Sequence, residues 1–162
     1  MIPFSCWERE MNRNLTLLCI FLLAAGGLIS GCRLEGEPKA VEVSFKQLSS
    51  SPEQYDGKEV MVEGFYFDGF EVQVLAETLE YSGDVEGHLV PGGRYVWLEG
   101  EGISSEIWGH LYKQSMMGPE ERYGKVIIWG KFEYGGQYGH SGAYNSQITL
   151  SKVELLQWSP PQ

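Results

Sequence analysis

Apolar and polar residues follow three regimes along this chain. Residues 15–29 are an almost unbroken apolar run. Residues 33–57 are mixed and polar, and from residue 58 onward apolar residues recur mostly at every second position. In the middle regime, Ser44-Phe45-Lys46-Gln47 fits a capping box, in which a serine hydroxyl and a glutamine side chain satisfy the first free amides of a short helix. Ser51-Pro52-Glu53-Gln54 repeats the signal with proline at the first helical position, and Asp56-Gly57 breaks the chain.

The period of two then predicts strands. Over residues 58–67, Val60 and Val62 share one face and Met61 and Glu63 the other. Asp68-Gly69 is a two-residue hairpin signal. Residues 70–76 set Phe70, Val72, Val74 and Ala76 against Glu71, Gln73 and Leu75. A longer connection over 77–93, whose first part can extend the second strand before Gly83, leads to a third strand at 94–99. Residues 104–114 carry Ile107, Trp108, Leu111 and Tyr112 at helical spacing, although Gly109 costs about 1 kcal/mol relative to alanine. Fourth and fifth strands are predicted at 125–134 and 147–156. The inward set of the fifth shifts from Ile148 and Leu150 to Val153 and Leu155, which implies a bulge near Ser151. Strands one and four both open with Gly-Lys and carry a mid-strand glycine, Gly64 and Gly130. Such a glycine weakens a flat strand and marks a bend or a close backbone approach.

Three strands, one helix and two strands, in that order, resemble an OB-fold. The resemblance covers about residues 58–156 and rests on element order and bent strands. It implies a mostly β domain: a small five-stranded OB-like barrel with one helix between strands 3 and 4, preceded by a short N-terminal helical segment. A different small antiparallel barrel or a sandwich is the competing architecture. The OB-fold resemblance also implies a binding face on the second and third strands, bordered by the loops joining strands one to two and four to five.

The first regime carries an address. Arg13 precedes the apolar run, and small residues follow it, which is the layout of a secretory signal. Ile29-Ser30-Gly31-Cys32 resembles the lipobox of bacterial lipoproteins. That resemblance implies cleavage before Cys32, a diacylglyceryl group on its thiol and usually an acylated new amino terminus. Cys6 and Cys19 lie in or before the leader, so Cys32 is the one cysteine of the mature chain and has no intrachain disulfide partner. Each buried methylene contributes about 0.8 kcal/mol, and one acyl chain holds only marginally, so stable anchoring takes two or more. The expected organisation is a signal peptide over 1–31, lipidated cysteine and tether over 32–40, the domain over 41–158 and a tail over 159–162. An uncleaved signal anchor is the alternative, although Gly26, Gly27, Ser30 and Gly31 spoil the far end of a span that wants about 20 apolar residues. Translation from Met11 gives a conventional basic start, whereas Met1 adds Glu8 and Glu10. Arg33 follows the cysteine; aspartate there resembles an inner-membrane retention signal, and its absence permits outer-membrane sorting or display on the surface of a single-membrane cell.

The formal net charge is −10, and removing residues 1–31 leaves it unchanged because two arginines and two glutamates depart together. Nucleic-acid binding relies on cations that displace phosphate counterions, so it is the least expected function. The loop between strands four and five is the distinctive one: residues 134–145 hold Tyr134, Tyr138, Tyr144, His140 and four glycines. Tyrosine offers a flat apolar ring with a polar tip, and glycine allows close backbone approach. Tyr95 and Trp97 share one face of strand three, and Trp129 points away from the core set of strand four. Tyr134, Tyr138, His140, Tyr144, Trp97 and Trp129 are therefore the candidate ligand-binding residues, with Cys32 the lipidation site. The alternative functions of these residues are to cover the end of the domain and to pack beneath loops.

Catalytic signals are weak. His88, His110 and His140 match no zinc spacing, and convergence with carboxylates such as Glu99 or Glu133 would be needed to make a metal site. Ser141 follows His140, but adjacency in sequence is not triad geometry. No catalytic residue, metal or cofactor is assigned. The expected function is a membrane-anchored, extracytoplasmic binding or assembly module of the cell envelope, whose partners are membrane lipid through acylated Cys32 and an envelope protein or carbohydrate. A metal-binding or hydrolytic envelope enzyme using the histidines is the alternative.

Overall fold

The computed structural model describes residues 39–101, 103–115 and 118–161. The leader, Cys32 and the tether up to residue 38 lie outside the described residues. The element order is β1 (Val41–Glu42), α1 (Phe45–Ser50), a 3₁₀ turn at Pro52–Gln54, β2 (Glu59–Gly69), β3 (Val72–Tyr81), β4 (Leu89–Glu99), α2 (Ser105–His110), β5 (Tyr112–Gln114), β6 (Glu121–Tyr138), a 3₁₀ turn at His140–Gly142 and β7 (Tyr144–Leu155). Among the described residues, no helix is long and apolar enough to cross a membrane.

The strands form one seven-stranded mixed sheet in the order β1-β2-β3-β4-β7-β6-β5, with β2 also pairing β6. This corrects the expected five-stranded OB-like barrel and its antiparallel competitors. The pairs β1–β2 and β4–β7 are parallel, while β2–β3, β3–β4, β5–β6 and β6–β7 are antiparallel. The two strands missing from the expectation, β1 and β5, are 2 and 3 residues long. Segments that short carry no readable alternation and are held by ladder bonds to longer neighbours.

Local signals are placed with varying accuracy. Ser44 and Gln47 make the capping box, the serine side chain accepting from the Gln47 amide at 3.3 Å and the glutamine Oε1 accepting from the Ser44 amide at 2.9 Å. The expected helix over 104–114 is confined to Ser105–His110, capped by Ser104. The first hairpin turns at Phe70–Glu71, not at Asp68-Gly69, which continue β2 opposite Gln73 and Val72. Gly69 serves a close approach instead: a Cβ there would lie 3.2 Å from the Phe67 ring. The non-glycine Glu71 takes a φ of 60° at the turn, and Phe70 at the tip is 68% exposed. Ser151 is the bulged residue, since Trp129 pairs with Lys152 while Gly130 pairs with Leu150. Gly64 and Gly130 mark close approaches: a Cβ on Gly64 would stand 2.8 Å from the Ala76 carbonyl oxygen, and one on Gly130 would run into that of Thr149.

Inward positions of the long strands, among them Val60, Val62, Tyr66, Leu75, Leu98, Val126, Ile128 and Ile148, make the main core. Each such fully buried aliphatic contributes about 1.5–3 kcal/mol. Helix α1 adds Phe45 and Leu48 to it. A second cluster gathers Phe67, Val74, Leu89 and Tyr123, with Trp97, Tyr144 and Trp158 packed against it. Phe67 and Val74 alternate with Tyr66 and Leu75, so this cluster lies on the opposite face of β2 and β3.

Candidate binding face on β4 and β7

Alternation along β4 buries Val96 and Leu98 and turns Tyr95, Trp97 and Glu99 outward. Tyr144, the first residue of β7, lies between the two aromatic rings of β4. Its ring centroid is 5.1 Å from that of Trp97 and 6.1 Å from that of Tyr95, the latter pair edge-to-face. Tyr95 is 51% exposed, while Trp97 and Tyr144 are half-buried, so the three rings form a strip open to solvent at one end. Gly139 in the β6–β7 connection lies directly against this strip. A Cβ there would stand 2.6 Å from the Tyr144 ring and 2.7 Å from the indole of Trp97. The glycine's φ of 69° and ψ of −166° belong to a region that is essentially glycine-only.

Polar groups border the strip. The Trp97 indole donates to Glu99 Oε2 at 3.1 Å. Gln147, in register with Trp97, donates to Glu133 Oε2 at 2.6 Å, and Lys131 donates to Glu133 Oε1 at 3.1 Å. These two donors, Gln147 first, hold the Glu133 carboxyl below its ordinary range. Burial, reinforced by the neighbouring Tyr95, raises the phenol of Tyr144.

Tyr95 also lines a cleft of about 340 Å³. The cleft forms because β4 and β7 stay paired over only three residue pairs, Trp97–Gln147, Leu98–Ile148 and Glu99–Thr149. Before that ladder, Gly93–Val96 and Asn145–Ser146 line the cleft, and Phe45 and Leu48 of α1 close it together with Phe132. Tyr134 reaches the cleft with its backbone amide donating to Asp56 Oδ1 at 2.9 Å. Arg94 is its charged lining residue, bound bidentately by Glu77 (Nε–Oε2 2.8 Å, Nη2–Oε1 2.6 Å) and donating to Ser49 Oγ at 2.6 Å. Hydrogen bonding from Arg94 is the main cause holding the Glu77 carboxyl low. A register irregularity between Ala76 and Thr78 places Glu77 beneath Arg94.

The structure thus brings Trp97, Tyr134 and Tyr144 to one continuous surface and leaves other candidates elsewhere. Tyr138 pairs with Tyr144, but its ring lies over Gly136. Trp129 pairs with Met61 of β2 and carries the Lys152 ammonium 4.2 Å from its ring centroid, so its contacts are separate from the strip. His140 meets Glu71 across the two loops at 3.3 Å, with both side chains exposed.

The three histidines do not converge. His88 is buried against Glu121 at 2.8 Å, the His110 Nδ1 lies 2.7 Å from the Glu106 carbonyl oxygen, and His140 faces Glu71. Among the described residues, no group of three or more His, Cys, Asp or Glu side chains is arranged to hold a metal ion. Sequence patterning missed Arg94, Glu77 and the α1 contribution to the cleft. The capping box located α1, but nothing local connects it to β4, some 45 residues later.

Comparison of the chain with protein-family models, with curated proteins and with solved structures finds no match.

Proposed function

We propose that this chain is a membrane-tethered, extracytoplasmic binding module that recruits a protein of the cell envelope through the β4–β7 face. One observation carries the reading: the Tyr95–Tyr144–Trp97 strip, partly open to water, runs into a cleft with an apolar floor. Aromatic residues dominate recognition surfaces because they bury a large area at low entropic cost and keep a polar tip for orientation. Acylation of Cys32 is the proposed anchor, resting on the apolar run and Ile29-Ser30-Gly31-Cys32. Since the surface is acidic, the acyl chains must hold the protein at an anionic membrane without electrostatic help.

Two measurements test the two halves. Metabolic labelling with an alkyne fatty acid should mark the native protein and leave Cys32→Ser unlabelled and absent from membranes; an unlabelled native protein overturns the anchor. Chemical cross-linking in intact envelopes should yield a discrete adduct that Tyr95→Ala and Trp97→Ala lose and Trp129→Ala keeps. An adduct that survives both strip variants removes this face as the site.

A further inference from the structure

We propose that the notch where β4 and β7 part receives an extended peptide segment of the partner, one carrying Lys or Arg next to an apolar anchor side chain. This rests on the binding-module reading and names what the face recognises.

Three observations converge. The first is the sheet itself. The parallel β4–β7 ladder is only three residue pairs long, whereas β4 has 11 residues and β7 has 12. Upstream of the ladder, Gly93–Val96 and Asn145–Ser146 line the cleft instead of pairing with each other. An extended segment crossing the mouth of this cleft can reach main-chain groups that the ladder leaves unpaired and lower one side chain into it. The second is size and lining. About 340 Å³ is at the low end of the roughly 300–1,000 Å³ of ligand clefts, room for one or two side chains. Phe45, Leu48, Val96 and Phe132 form its floor and suit an aliphatic or aromatic anchor, while Ser49, Asn145 and Ser146 at its walls can meet the polar main chain of the segment.

The third is charge. Among the described residues that line the cleft, Arg94 is the cation, and Glu77 already pairs it. Around it stand Glu53 next to Pro52, Asp56 on the Tyr134 amide and Glu99 beside the strip, while Glu133 is paired with Lys131. The chain as a whole carries −10. A basic side chain is complementary to that field and can lie over the faces of Tyr95 and Tyr144.

The test is selection of random dodecapeptides displayed on phage against the full-length protein in detergent, followed by titration of the selected peptide into ¹⁵N-labelled protein. Lys and Arg should be enriched beside an apolar residue, and amide shifts should concentrate at Gly93–Val96 and Asn145–Ser146. Ser49→Trp, which fills the cleft from the exposed side of α1, should weaken binding at least tenfold, as should replacing the peptide's cations by glutamate. Shifts that map elsewhere, or equal affinity for Ser49→Trp, overturn the notch. If no peptide is enriched while the strip-dependent cross-link persists, peptide recognition fails and the binding-module reading stands. Loss of both defeats the module reading itself.

Discussion

Replacing Gly139 by alanine should damage the fold and the proposed site together, and the size of the effect follows from the geometry. Two costs combine. The backbone sits at φ 69° and ψ −166°, where a side chain costs about 1–3 kcal/mol. The new methyl would also lie 2.6 and 2.7 Å from ring carbons of Tyr144 and Trp97. Carbon contacts are optimal near 3.5–4.0 Å, so both rings must move by about 1 Å, at an overpacking cost of about 1–3 kcal/mol. The sum is about 4 kcal/mol, a large share of the roughly 5–15 kcal/mol that holds an ordinary domain together. Gly135 provides the control: its φ is 85°, but nothing lies within 4 Å of its Cβ position, so Gly135→Ala meets backbone strain alone. In urea unfolding with a slope of about 1.5 kcal/mol/M, Gly139→Ala should lower the midpoint by roughly 2–3 M and Gly135→Ala by only about half as much. The near-ultraviolet circular dichroism of Trp97 should change only in the first. Equal midpoints for the two variants would refute the packing of the loop glycine against the aromatic strip.

Other consequences are separable. Burial raises the Asp68 carboxyl, with Arg122 opposing, so its folded-state pKa lies above the unfolded value. Asp68 then contributes stability at acid pH that is lost as pH rises through that folded pKa; Asp68→Asn should gain on the wild type between about pH 4 and pH 7 in urea midpoints. Glu77 has the opposite sign, being lowered first by its hydrogen bond from Arg94, and Glu77→Gln should cost more at pH 7 than near pH 3. Trp158 meets Phe65, Tyr112 and Tyr123 at ring separations of 5.2, 5.6 and 6.3 Å, and Trp158→Ala should lower stability by about 2 kcal/mol in the same assay.

How far the chain could be read in advance tracks the range of the interactions involved. The Ser44–Gln47 capping box and the proline turn at Pro52 are local and were legible, because donor and acceptor lie within one helical turn. The Ser151 bulge showed as a shift of inward residues, and Gly64 and Gly130 as glycines where side chains were expected. Gly69 misled for the opposite reason: the residue that favours a hairpin turn here continues β2 close against the Phe67 ring, and the chain turns two residues later. The strands β1 and β5 escaped because they are defined by their partners, Val60–Met61 and Glu121–Tyr123. At the site, outward alternation found Tyr95 and Trp97, and glycine-tyrosine spacing found Tyr134 and Tyr144. It could not separate Trp129, whose neighbours Met61 and Lys152 are fixed by sheet register, nor reveal a cleft closed by Phe45 and Leu48 from far upstream.

The most direct test of the account is site-specific photo-cross-linking in living cells, with benzoylphenylalanine in place of Tyr95 or, separately, of Trp129. Position 95 should yield a discrete envelope-protein adduct and position 129 none. An adduct of the same protein from position 129 alone, or none from position 95 in a protein that is folded and membrane-bound, would contradict it.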